Sequence, residues 1–114
     1  MALNDAALVL AANAVDGAIT HMQLFSAATN GTGTTNAVGS RVAVNGTVDG
    51  DGDITWSTVA FTGLTANQAV HSVGYFSAST GGTFYGSTVL TGDATANAAG
   101  AYTVTSVTET SSAT

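Results

Sequence analysis

Apolar positions recur at helical spacing in the first stretch of the chain, and from residue 18 onward they alternate or gather in short runs. Leu3, Ala7, Leu8, Ala11, Ala12 and Val15 share one helical face, which predicts a helix over residues 3–16. Asn4 or Asp5 is placed to cap it and Gly17 to end it. About three turns of mostly alanine are not stable alone, so this helix must pack on the remainder.

Beyond it the pattern is that of strands. Ile19, Met22, Leu24 and Phe25 mark a first strand over residues 18–26. Arg41-Val42-Ala43-Val44 opens a second, over 41–48, with residues 54–62 as its expected hairpin partner. In that partner Ile54 and Trp56 share one phase whereas Val59 and Phe61 share the other. The switch implies a bulge near Ser57-Thr58 or burial of both faces. Further strands are expected over 70–77, 83–91 and 101–108, with Gly81-Gly82 supplying a tight turn. Segments 63–69 and 92–100 read as connections, and 109–114 as a polar, frayed tail. The polar segment 27–40 is long for a compact domain and reads either as a contact arm or as a plain surface loop.

Six to eight short strands with Gly-rich turns define an all-β fold, a β-sandwich or jelly-roll-like barrel, with one short N-terminal helix. At 114 residues the whole chain, 1–114, fits a single domain. Proline is absent, so sheet edges must twist away or be paired in an assembly. An internal similarity crosses the middle of the chain. Thr20-His21-Met22-Gln23-Leu24-Phe25-Ser26-Ala27 and Val70-His71-Ser72-Val73-Gly74-Tyr75-Phe76-Ser77-Ala78 each run from a His through an apolar strand to Phe-Ser-Ala. Related strands in equivalent places of two sheets would produce it, as would chance in a restricted alphabet.

Composition narrows the function. The apolar fraction is 45%, ordinary for a globular chain, but only 7% is charged, against about 25% on average. Arg41 is the single basic residue and the net charge is -6, which argues against nucleic-acid and anionic-membrane partners. Such a surface suits coverage by neighbouring copies in a closed homo-oligomer, a trimer among the options. The chain contains no Cys, which excludes disulfides and thiolate metal sites. No run approaches a membrane span, and Met1-Ala2-Leu3-Asn4-Asp5 lacks the basic start of a secretory signal, so synthesis in a cytoplasm is expected. Asn30-Gly31-Thr32 and Asn45-Gly46-Thr47 match the glycosylation pattern but read more simply as turns.

Candidate chemistry is sparse. Asp49, Asp51 and Asp53 alternate with Gly50 and Gly52, and three carboxylates on a Gly loop can converge on a hard cation such as Ca²⁺. The EF-hand spacing then requires Gly and Glu where Ile54 and Ala60 stand, so a solvated hairpin turn is the first reading and a weak Ca²⁺ loop the second. His21 and His71 have no acid or Cys beside them and read as structural residues at strand starts. No Gly-x-Ser-x-Gly elbow or phosphate loop is present. Trp56, Tyr75, Phe76, Phe84 and Tyr85 form either core or a carbohydrate platform. The expectation is a non-enzymatic module with no catalytic residue, no cofactor and no committed metal site.

The segments Thr20-His21-Met22-Gln23-Leu24, Gly39-Ser40-Arg41-Val42-Ala43-Val44, Val59-Ala60-Phe61 and the run from Val70-His71-Ser72-Val73-Gly74-Tyr75-Phe76 through Gly81-Gly82-Thr83-Phe84-Tyr85-Gly86 resemble small bacteriophage virion proteins of the head decoration and tail fibre type. The likeness spans most of the chain and departs at 27–40. It implies a β-sandwich without enzyme activity, located in the virion. The leading expectation is a capsid decoration protein bound to the major capsid protein on the outside of the head. A tail or fibre component is the alternative, and a Ca²⁺- or carbohydrate-binding adhesin a more distant one.

Overall fold

Asn4 starts the helix: its side-chain oxygen accepts from the N–H of Ala7 at 3.0 Å, relieving one unpaired N–H of the first turn. The structure, a computed structural model, describes residues 4–91 and 94–110. Leu3 of the predicted helical face and residues 111–114 of the predicted tail therefore lie outside the described residues. Helix α1 spans Asp5–Ala18 and does not stop at Gly17. It ends where Ile19, 3% exposed, takes an extended backbone and joins the core.

Seven strands follow among the described residues: β1 His21–Phe25, β2 Ala37–Ala43, β3 Thr47–Val48, β4 Ile54–Phe61, β5 Ser72–Phe76, β6 Phe84–Val89 and β7 Tyr102–Glu109. They form two antiparallel sheets, ordered β2-β1-β5-β6 and β3-β4-β7, so the fold is an all-β sandwich with one N-terminal helix. The expected strand 41–48 is divided. Its first part belongs to β2 and pairs with β1, and only Thr47 and Val48 form the hairpin partner of β4. Residues 37–40 of the expected loop are strand, and Glu109 of the expected tail closes β7.

Between the sheets, Met22, Leu24, Val73 and Tyr75 meet Ile54, Trp56, Val59 and Phe61, with Val104 and Val107 behind them. The phase change in β4 is real. Thr58 adopts φ +54°, and β7 changes phase at the facing Thr105-Ser106, so the pairing sum is kept and no residue is bulged out. Both apolar pairs of β4 then face the same core, and Ser57, Thr58 and Ala60 stay exposed.

The internal similarity has a structural counterpart, though not in two sheets. Strands β1 and β5 are antiparallel neighbours at the centre of one sheet. Hydrogen bonds occur in matched pairs, and their members at β1 and β5 are separated by the same offset as Phe25 from Phe76. Thr20 N–H donates to Phe76 C=O as His71 N–H donates to Phe25 C=O. Val44 N–H donates to Thr20 C=O as Leu90 N–H does to His71 C=O, and Ser26 N–H to Asn36 C=O as Ser77 N–H to Thr83 C=O. The hairpins β1–β2 and β5–β6 are thus related by a local twofold, and each Phe-Ser-Ala is a hairpin's exit into its turn. The offset equates His71 with Thr20, one residue away from the match of the two histidines.

That central pair is buried on both faces. Away from the main core, Phe25, Phe76 and Phe84 form a second cluster, with ring centroids 5.2–6.3 Å apart. Gly74 makes room for it: a Cβ there would stand 2.4 Å from Phe25 Cε2 and 3.0 Å from Phe84 Cε1. Phe25 is wholly buried and has nowhere to retreat. Gly74→Val is therefore expected to destabilise the fold by about 1–3 kcal/mol through overpacking. Adding Phe25→Ala should recover part of the Gly74→Val loss in chemical denaturation; strictly additive losses would contradict this packing.

Candidate functional site

The hairpin tip between β3 and β4 carries the three aspartates. Asp49 Oδ1 accepts from the N–H groups of Asp51 (2.9 Å) and Asp53 (3.0 Å), and Asp49 N–H donates to Asp53 C=O (3.0 Å). A carboxylate oxygen from each residue lies within 4.8 Å of the others. The structure thus brings the three predicted residues together, with one Asp49 oxygen committed to holding the turn. The turn reading of Asn30 is also visible. Its side chain accepts from Thr34 N–H (2.9 Å) and Thr32 Oγ1 (3.2 Å) and donates to Thr34 Oγ1 (2.8 Å).

The histidines are not brought together. His21 is level with Phe76 and His71 lies just before β5, so roughly 16 Å of strand separates them. His21 Nδ1 shares a hydrogen bond with Thr20 Oγ1 at 2.8 Å. His71 Nδ1 is buried with no partner among the described residues, so the expected structural hydrogen bond is not made through that atom.

The aromatic residues divide by burial. Trp56 (1% exposed) stacks on Tyr75 with centroids 5.2 Å apart inside the main core, and Phe76 lies in the second cluster. Tyr85 alone of the group is exposed. Trp56, Tyr75 and Phe76 are core, Phe84 is half-buried against Phe25 and Phe76, and the five rings share no single face. Trp56 Nε1 is buried without a partner among the described residues, facing the site of Gly46. Gly46 N–H in turn donates to Asp16 Oδ1 of α1 at 3.1 Å.

A polar clasp escapes the sequence reading. Glu109 Oε1, on β7, accepts from Tyr75 Oη of β5 at 2.5 Å and from Thr88 Oγ1 of β6, joining the two sheets. Burial, reinforced by the Glu109 carboxyl, raises the Tyr75 phenol above its ordinary pKa, and the Thr88 hydrogen bond opposes part of that rise.

Three surface features remain. Helix α1 buries only Ala12, and its outward face carries Ala6, Leu10, Ala11, Ala14 and Val15, with Leu10 74% exposed. Loop 26–36 folds over the second aromatic cluster, where Gly33 (φ +68°) sits so close that a Cβ would stand 2.6 Å from Phe84. Within the loop, Thr35 and Asn36 bond to Asn30 and Ala28, and Gly33 is its one buried residue. The third feature is a groove of about 500 Å³ between residues 39–41 and 79–81, floored by Gln23. In it Arg41 lies 3.6 Å above the Phe76 ring centroid. No described helix is long and apolar enough to cross a membrane. Comparison with known protein families, curated proteins and solved structures finds no match.

Proposed function

We propose that this chain is a non-enzymatic structural protein of a bacteriophage virion, a decoration protein that attaches to the outer surface of the assembled head. The observation that carries the reading is the outward face of α1. A helix of fourteen residues that buries one of them spends little of its apolar surface on its own fold. Contiguous exposed apolar residues mark a contact surface. The low charge of the chain supports burial against protein neighbours, among them further copies of itself. Attachment only to the assembled lattice would reinforce that lattice by mass action.

Cosedimentation with tailless heads of the encoding phage tests this. The chain should pellet with heads, and Leu10→Glu should weaken binding at least about tenfold, since burying a leucine contributes about 1.5–3 kcal/mol. The exposed position predicts little change in stability. Recovery with isolated tails alone would move the chain to the tail, and binding to neither would end the virion reading.

A further inference from the structure

The groove beside Arg41 is a built feature that the helix-based attachment does not use. Strand β2 departs from simple pairing here: Met22 faces Val42 and Leu24 faces Val38, which leaves Gly39, Ser40 and Arg41 opposite the single residue Gln23. Gly39 takes φ +70°, and Gln23 Nε2 fills the gap by donating to the carbonyls of Val38 (2.9 Å) and Gly39 (2.7 Å). Bulges of this kind re-aim a side chain. Here Arg41 reaches from the edge strand across β1 to β5. Its Nη1 donates to Ala78 C=O (2.9 Å) and Gly81 C=O (2.8 Å), while Phe76 lies beneath the guanidinium.

Those bonds use both hydrogens of Nη1 and leave Nε and Nη2 unbonded among the described residues. Nε–H and one Nη2–H point the same way, forming the fork that fits a carboxylate with two parallel hydrogen bonds. We propose that this groove is a carboxylate-binding site, with the Nε–Nη2 edge of Arg41 as its receptor. The guanidinium is already fixed by two carbonyls and a ring, so little side-chain entropy remains to be lost on binding. None of the described acids, Asp5, Asp16, Asp49, Asp51, Asp53 and Glu109, pairs with it. Ser40, Ser79 and Thr80 line the groove with hydroxyls that make no hydrogen bond to described residues. A net charge of -6 repels free anions at long range, so a planar single charge delivered at close range is favoured over phosphate. The carboxylate has two sources: a free small acid, or an exposed side chain such as Asp51 on a second copy.

Arg41 is the only arginine, so its Nε–H gives one NMR cross-peak in ¹⁵N-arginine-labelled protein. Titration with acetate at constant ionic strength should move that peak downfield and saturate. Sedimentation velocity separates the sources. Concentration-dependent association that acetate reduces and that Arg41→Gln or Asp51→Asn weakens about tenfold assigns the carboxylate to a second copy. A monomer with a saturable peak assigns it to a free acid. A peak that drifts as in chloride, together with no Arg41-dependent association, overturns the site, as does an equal response to phosphate. The wild-type titration decides the matter even if Arg41→Gln fails to fold.

Discussion

Trp56→Ala should lower the free energy of unfolding by about 3–5 kcal/mol, one of the two largest effects expected of a single change in this chain. A fall in Tm of at least about 10 °C would accompany it. Trp56 sits where three parts of the fold meet. It projects from β4 onto Tyr75 of the opposite sheet, and its indole edge faces Gly46, which Asp16 ties to α1. Truncation would leave a cavity bounded by both sheets, and a collapse of either one is resisted by the other's ladder. Trp56→Phe makes the comparison sharper. It loses part of the ring but also removes a buried N–H without a partner among the described residues, whose burial costs about 1–3 kcal/mol. The net loss should stay within about 1.5 kcal/mol. Urea denaturation of the two variants checks this, and equal losses would show that the Nε1 atom is not the liability described.

Much of the sandwich was legible because its strands are short runs rich in apolar and β-branched residues, bounded by Gly-, Asn- and Thr-rich turns. The places where reading failed have particular causes. Segment 41–48 looks continuous in hydrophobicity, yet Val44 N–H continues the pairing to Thr20 and the chain then turns at Asn45-Gly46. That turn depends on Gly46, where a Cβ would collide with Asp16, Ile54 and Trp56. Such a contact involves three distant parts of the chain, and no local pattern announces it. Of the helical face from Leu3 to Val15, Ala12 is buried, Ala7 and Leu8 are half-buried, Ala11 and Val15 are exposed, and Leu3 lies outside the described residues.

The second aromatic cluster was hidden for a different reason. Phe25 and Phe76 were visible as strand ends, but their cover is a polar Thr/Asn/Gly loop that packs through the missing side chain of Gly33. Hydropathy cannot show a cover of that kind. The repeat, by contrast, was legible as sequence. What it lacked was the offset, because the two histidines suggested a register one residue away from the one that the hydrogen bonds define. Among the chemical candidates, Asp49, Asp51 and Asp53 share the hairpin tip, and Asp49 holds the turn that was the first of their two readings. Arg41 stood out only as a lone charge, and a bulge gives it its direction. Glu109 was placed in the tail, with nothing to indicate that it reaches across to Tyr75.

That last residue leads to the second large effect, a loss of stability in alkali that one phenol controls. Tyr75 is 4% exposed, and burial, then the Glu109 hydrogen bond and charge, hold its folded pKa above the ordinary 10.0. In the unfolded chain the phenol ionises near that ordinary value. Below it both states are neutral and the native interactions are intact; above it the unfolded state loses a proton that the folded state keeps. Stability should therefore fall as pH rises past 10.0, by about 1.4 kcal/mol per pH unit, until the folded phenol also ionises. Tyr75→Phe removes the titrating group. Loss of its hydrogen bond should make this variant about 1 kcal/mol less stable near neutrality, because Glu109 keeps Thr88 as a donor. Its stability should then decline less steeply in alkali, so the two curves converge and cross above pH 10. Urea midpoints measured from about pH 8 to pH 11.5 test the crossing. Parallel curves would mean that Tyr75 ionises as readily folded as unfolded, and the clasp between the sheets would then not hold the phenol neutral.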